Sequence, residues 1–350
     1  MRIGILTGGG DCPGLNAVIR AVVRKGVFHY DDEFLGFLEG WRGVLENMTY
    51  PLDLEAVRGI LPRGGTILRS SRTNPAKKPE GLPQCIENLQ RNKIEALVVI
   101  GGDDTQSVAQ KLFEMGVHVV GVPKTIDNDL SGTDFCFGFD TAVTIATDAI
   151  DRVHTTAEAH NRVMVVEVMG RDSGWIAIYS GIAGGADAIL IPERPFRVAD
   201  VAASIKRRHD RGRFFSIVVI AEGAMIAGEE SPVSSPTAKK DEFGHVRLGG
   251  IGAALAQELE RLTGFETRAV VLGHIQRGGS PTAFDRVLAT RYGIGAIDLV
   301  HAERFGQMVV LRGNEIRSIP IAEAISKTSY VSKELIEVAL SLHDRQQNAP

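Results

Sequence analysis

Short apolar runs recur along the chain, each closed by glycine or a polar cluster and followed by residues with helical spacing. Residues 2–6 read as a strand, and Leu15–Arg24 repeats its apolar positions at the helical period. The pattern returns at Ala96–Ile100 with a helix over Gln106–Met115, and at Val117–Val122 with a long helix over Thr141–Glu158. Later, strands are predicted from Arg162, at Ala188–Glu193, at Phe215–Gly223 and from Arg268, with helices over 249–263 and 282–301. A short strand over 308–312 precedes a polar tail, and the polar stretch 228–247 reads as a surface loop or hairpin excursion. Strands alternating with helices imply an α/β architecture of mostly parallel sheets covered on both faces.

Within this pattern the densest chemistry follows the run Val117–Val122. Lys124, Thr125, Asp127 and Asp129 lie within six residues. Alternate residues of an extended chain share a face, so Thr125, Asp127 and Asp129 would converge just past the carboxyl end of a strand, where open α/β sheets bind ligands. Acid/base chemistry is one reading; a polar turn whose side chains cap backbone amides is the other.

Two further strand ends carry glycine turns. Thr7–Gly14 opens onto a helix and suits a phosphate cradle or a plain structural turn, while its spacing matches neither the Walker lysine loop nor the dinucleotide fingerprint. Gly101-Gly102-Asp103-Asp104-Thr105 adds two acids. Carboxylates beside a phosphate cradle point to an intervening cation, which makes Asp103 a candidate Mg2+ ligand, with helix capping as its alternative. Arg63, Arg69 and Arg72 lie among Ser and Thr in a loop-like segment, suited to phosphate oxygens or simply solvated.

The chain has 350 residues, enough for two domains, and is 44% hydrophobic and 23% charged, as ordinary globular proteins are. A net charge of −4 gives no general reason to expect nucleic acid or a membrane surface as partner. Three cysteines, odd in number and far apart, suggest a reducing compartment without disulfides. With no long apolar segment, the sequence reads as cytoplasmic.

Gly8-Gly-Gly-Asp-Cys-Pro-Gly-Leu-Asn16, Gly101-Gly-Asp103, Thr125-Ile-Asp-Asn-Asp129, Met169-Gly-Arg171 and Gly273-His-Ile-Gln-Arg-Gly-Gly279 stand in an order that resembles the 6-phosphofructokinase family from Arg2 to about Gly313. The resemblance implies two Rossmann-like three-layer domains with the active site in the cleft between them. A larger phosphoryl-donor domain would take residues 1–138 plus about 276–325, and a smaller fructose 6-phosphate domain about 139–275 plus the C-terminal segment. It implies a homodimer or homotetramer. Asp127 would be the base that deprotonates the sugar 1-hydroxyl, supported by Thr125 and Asp129, with Arg171 and Lys124 near the phosphoryl in flight and Asp103 holding Mg2+. Gly10, Arg72, Gly102, Asp104, Thr105 and Lys124 would face the donor. Met169, Gly170, Arg171, Glu222, His274 and Arg277, with Thr125 and Asp127, would hold fructose 6-phosphate, completed by Arg162 and Arg268 of a neighbouring subunit.

Donor choice turns on Asp104, where ATP-using members carry glycine. A carboxylate there would meet the α-phosphate of a nucleotide, and two unit charges about 4 Å apart repel by roughly 4 kcal/mol at an effective dielectric of 20. Pyrophosphate ends before that point. Asp104 with Lys124 therefore resembles the pyrophosphate-dependent members, with an ATP-dependent enzyme as the alternative. The basic effector pocket of regulated bacterial members would include Arg211 and Arg213 here, but Ala21 and Leu54 replace expected arginines.

Overall fold

A computed structural model describes residues 1–229, 243–244 and 248–342. Most of the polar excursion expected over 228–247 therefore lies outside the described residues. The chain divides into two compact units, the first built from Met1–Thr141 and Arg277–Thr328, the second from described residues between Ala142 and Gln276 and from Ser329 onward.

In the first unit the chain runs β1 (Arg2–Thr7), α1 (Leu15–Tyr30), β2 (Glu33–Phe37), α2 (Trp41–Leu45), β3 (Thr49–Leu52), α3 (Gly81–Arg91), β4 (Ala96–Gly101), α4 (Asp103–Glu114) and β5 (Val119–Pro123). Helix α5 (Phe139–His160) carries it into the second unit, which holds β6 (Val163–Val168), α6 (Trp175–Ala183), β7 (Ala188–Leu190), α7 (Val198–Asp210), β8 (Ser216–Ala221), α8 (Ile251–Thr263) and β9 (Thr267–Val271). The first unit then resumes with α9 (Ala283–His301), β10 (Gln307–Arg312), β11 (Glu315–Pro320) and α10 (Ile321–Ala324), before α11 (Lys333–Ser341) rejoins the second.

The first unit's sheet has the order β11-β10-β5-β4-β1-β2-β3. Its inner strands are parallel, and both edges are antiparallel additions, β3 on β2 and β11 on β10. At the second edge Gly313-Asn314 closes a two-residue hairpin, with Arg312 opposite Glu315 and Gly313 at φ 57. Strands β4 and β5 are buried at every position, as parallel strands covered on both faces require. Phe37, Trp41, Leu97, Val99, Leu112 and Met308 belong to the core around them.

The second unit's sheet, β7-β8-β6-β9, is parallel throughout. A carboxylate interrupts the apolar run of β6. Glu167 sits inside β6 at 2% exposure, because its carboxylate accepts the amides of Gly250 at 3.2 Å and Gly252 at 2.8 Å at the start of α8. A buried acid is tolerated there because orphan helix amides satisfy it.

Candidate active site

Strands β5, β4 and β1 are adjacent and parallel, so the turns that leave their carboxyl ends lie side by side: Lys124 onward, Gly101–Gly102, and Gly8–Gly10. This is the end of an open parallel sheet where ligands bind. The segment 66–72 folds over the glycine turn. Thr7 donates its hydroxyl to the Arg69 carbonyl at 2.7 Å, Ser70 donates to the Gly9 carbonyl, and the Gly9 amide donates to the Ser71 carbonyl at 3.1 Å. A cavity of about 410 Å³ remains between the two segments, lined by Gly10, Asp11, Arg69 and Arg72 among others.

A Cβ on Gly10 would stand 2.7 Å from Nη1 of Arg277, so a side chain there would displace the guanidinium. Arg277, assigned above to the sugar phosphate, thus lies against the glycine turn, and its Nη1 also donates to the Asp11 carbonyl at 3.4 Å. Lys124 is buried at 4% exposure and donates to the Gly10 carbonyl at 2.7 Å. Burial lowers its pKa, and the charge of Arg277 lowers it further, while Cys12, Asp127 and Asp103 act in the opposite direction.

Helix α4 begins with Gly102 as its cap residue, so Asp103 is not the cap and remains exposed, with Asp104 half-buried beside it in the first turn. Thr105 turns inward. At 2% exposure it packs on the glycine turn so closely that a Cβ on Gly8 would come within 2.7 Å of it, and its carbonyl accepts the Trp41 indole N–H. Its hydroxyl oxygen and methyl group both stand against the glycine turn.

Residues 125–130 alternate in burial: Thr125, Asp127 and Asp129 are half-buried, while Ile126, Asn128 and Leu130 are buried. The alternation is not that of a regular strand. Asn128 adopts φ 53, fixed by its carbonyl oxygen accepting the Cys136 amide at 2.8 Å and its amide donating to the Asp134 carbonyl. The Thr125 hydroxyl accepts the Asp127 amide at 3.0 Å. Asp129 is pushed up to about 7 by burial and then by the charges of Asp127 and Asp103, against the opposing hydrogen bonds of its own backbone amide and Thr125.

Asp129 thus feels the charge of two other carboxylates in this unit. Among the described residues no three His, Cys, Asp or Glu side chains are grouped to hold a metal by themselves. Hard carboxylate oxygens, one or two per ion, with phosphate oxygens and water completing the shell, are the usual Mg2+ arrangement, and the donor set here fits it.

In the second unit, β8, β6 and β9 are likewise adjacent, and their carboxyl ends carry Glu222, then Met169-Gly170-Arg171, then His274 in the turn Gly273–Arg277. Buried Gln276 ties two of these ends, accepting the Met169 amide at 3.4 Å and donating to the Gly273 carbonyl at 3.0 Å. Gly170 adopts φ 122, a conformation side chains resist. Arg162 and Arg268 are not at this end. Both bond Glu266, at 2.8 and 2.7 Å, beside the amino ends of β6 and β9. Six strand residues at roughly 3.3 Å each separate Arg162 from the Met169 turn by about 20 Å.

The expectation of free cysteines holds for all three, which are buried. No helix among the described residues is long and apolar enough to cross a membrane.

Comparison with known proteins agrees with this geometry. The profile of the family described as Phosphofructokinase matches residues 2–300. The chain is 59% identical over 338 residues to the pyrophosphate--fructose 6-phosphate 1-phosphotransferase of Streptomyces coelicolor, covering 96% of this chain and 98% of that one. It is 52% identical over 342 residues to ATP-dependent 6-phosphofructokinase 2 of the same organism, covering 98% and 100%. In fold it is similar to the pyrophosphate-dependent phosphofructokinase of Marinobacter aquaeolei, with a TM-score of 0.81 at 23% identity over 95% of this chain and 86% of that one.

Proposed function

The chain belongs to the phosphofructokinase family, and we propose that its donor is inorganic pyrophosphate: it moves one phosphoryl group to the 1-hydroxyl of fructose 6-phosphate, giving fructose 1,6-bisphosphate and orthophosphate. The observation that carries the donor assignment is the joint occurrence of Asp104, half-buried in the first turn of α4, and Lys124, whose ammonium is buried. The carboxylate repels a nucleotide's α-phosphate, whereas pyrophosphate ends short of it. The ammonium adds positive charge beside the glycine turn.

Asp127 takes the proton of the sugar hydroxyl as that oxygen attacks the terminal phosphorus. Thr125 orients Asp127 through its amide, and Asp129 stands beside them. Arg171 and Lys124 neutralise charge that spreads over the equatorial oxygens, the main lever in phosphoryl transfer. Gly10, Gly102 and Arg72 border the donor. Met169, Gly170, Glu222, His274 and Arg277 hold the sugar phosphate. Asp103 would hold Mg2+, which supplies charge neutralisation between donor phosphates when bound.

The first unit is then the donor domain and the second the sugar domain. Arg162 and Arg268 face away from their own subunit's strand ends, which fits their completing the site of a second copy in a homodimer or homotetramer, in the cytoplasm. The 52% identical ATP-dependent relative supports a second reading, ATP as donor. Purified enzyme with Mg2+ and fructose 6-phosphate, assayed in parallel with pyrophosphate and ATP, decides between them. Turnover with pyrophosphate and negligible turnover with ATP is expected; the reverse would overturn the assignment.

A further inference from the structure

The turn that leaves β6 with Arg171 enters α6 at Gly174, and the backbone there is held from both sides. On one side lies Gly223, so close that a Cβ would stand 1.7 Å from the Arg171 carbonyl. On the other, the Gly174 amide points between both carboxylate oxygens of Glu193, 3.0 Å from each. A Cβ on Gly174 would fall 2.9 Å from that carboxylate and 2.4 Å from Ile191. The same carboxylate accepts the Val331 amide at 3.0 Å, and the indole of Trp175, the first residue of α6, donates to the Ser329 carbonyl at 2.9 Å. Glu193 therefore joins the connection after β7, the start of α6 and the 329–331 segment at one point, three residues from Arg171.

We propose that Glu193 is a positioning residue for Arg171: by receiving the Gly174 and Val331 amides it fixes the turn from which the guanidinium is presented to the transferring phosphoryl group. This rests on the role given to Arg171 above. Among the described residues Arg171 has only a loose ion pair, Nε to Asp172 Oδ2 at 3.8 Å, so the backbone of its turn does most to set its direction. An error of about 1 Å in such a group costs around a hundredfold in rate.

The role is one of reach rather than charge, which separates two conservative variants. Glu193→Gln keeps a carbonyl oxygen that can accept both amides and should retain kcat within about threefold. Glu193→Asp keeps the charge but is one methylene short, and should lose about 10- to 100-fold in kcat with KM for fructose 6-phosphate changed less than about threefold. Glu193→Ala should lose at least as much, and Tm is recorded for each, so that the Asp and Gln variants decide if Ala does not fold.

In the double variant Arg171→Ala with Glu193→Asp, kcat should be no lower than for Arg171→Ala alone, since the turn has nothing left to position. Multiplying losses, or retention of activity by Asp but not Gln, would overturn the proposal. So would wild-type kcat in Glu193→Asp while Arg171→Ala is impaired, leaving the reading of Arg171 intact. Wild-type kcat in Arg171→Ala would remove that reading and the positioning role together.

Discussion

The Lys124 ammonium donates to the Gly10 carbonyl at 2.7 Å, across 114 residues of sequence. The end of β5 is thereby tied to the glycine turn after β1, and a cation is fixed where donor phosphates are expected. Lys124→Gly should lower pyrophosphate turnover by removing both the charge and the tie. Asp104→Gly should raise kcat/KM for ATP from a negligible value while pyrophosphate gains nothing. The two changes share one site and need not add. Steady-state kinetics with both donors tests this; no gain in ATP use on removing Asp104 would sink the exclusion argument. Pyrophosphate is also a donor of modest driving force, so the wild type should release it from fructose 1,6-bisphosphate and orthophosphate in a coupled assay.

Asp127→Ser should lower kcat by the roughly 10²- to 10⁴-fold expected of a lost general base. Binding of fructose 6-phosphate, followed by calorimetry, should hold nearly unchanged. A variant with near wild-type kcat would remove Asp127 from the chemistry.

Asp285 makes a pH prediction. This fully buried residue of α9 accepts both the amide and the hydroxyl of Thr141, the amide at 2.8 Å, while Thr282 caps α9 through the Asp285 amide and donates to Asp140 at 2.6 Å. The start of α5 is thus held by Asp285 of α9, and the cap residue of α9 is tied back to Asp140. Burial pushes the Asp285 carboxyl up to about 6, against the hydrogen bonds from Thr141. The folded state therefore holds its proton more tightly than the unfolded chain, whose carboxyl titrates near 4. Stability from this group is fully present below about pH 4 and is lost as pH rises through about 6. Asp285→Asn should flatten that stretch of a Tm-against-pH profile, and an unchanged slope would show that another group causes it.

Regulation should be weak. Ala21 is buried against Gly293, whose added Cβ would lie 2.8 Å from the Ala21 Cβ, so an arginine has no room there. Hyperbolic fructose 6-phosphate kinetics with little response to ADP or phosphoenolpyruvate are expected. A sigmoidal curve relieved by ADP would contradict this.

The parallel strands were legible because burial on both faces leaves them as unbroken apolar runs, and the site turns because glycines and acids cluster at their ends. Edge strand β11 was harder to read: it is exposed or half-buried throughout, with only Ile316 and Ile319 as large apolar positions, and it merged with the polar tail. Glu193 was visible as an acid closing a strand, but its use lies in amides of Gly174 and Val331, which no side-chain pattern announces. The inward turn of Thr105 likewise depends on Gly8, 97 positions earlier, making room for it.

The strand order has a consequence for synthesis on the ribosome. The second unit's sheet is complete in the chain by Val271, whereas the first unit's sheet waits for β10 to reach β5 and for β11 to end at Pro320. Chains stalled with Val271 outside the ribosome and β10 still inside it should already protect the second sheet from protease while the first stays cleavable. Until β10 emerges, the wholly apolar β5 has an open edge able to pair with another nascent chain. The amino-terminal half of this protein is therefore made first and finished last.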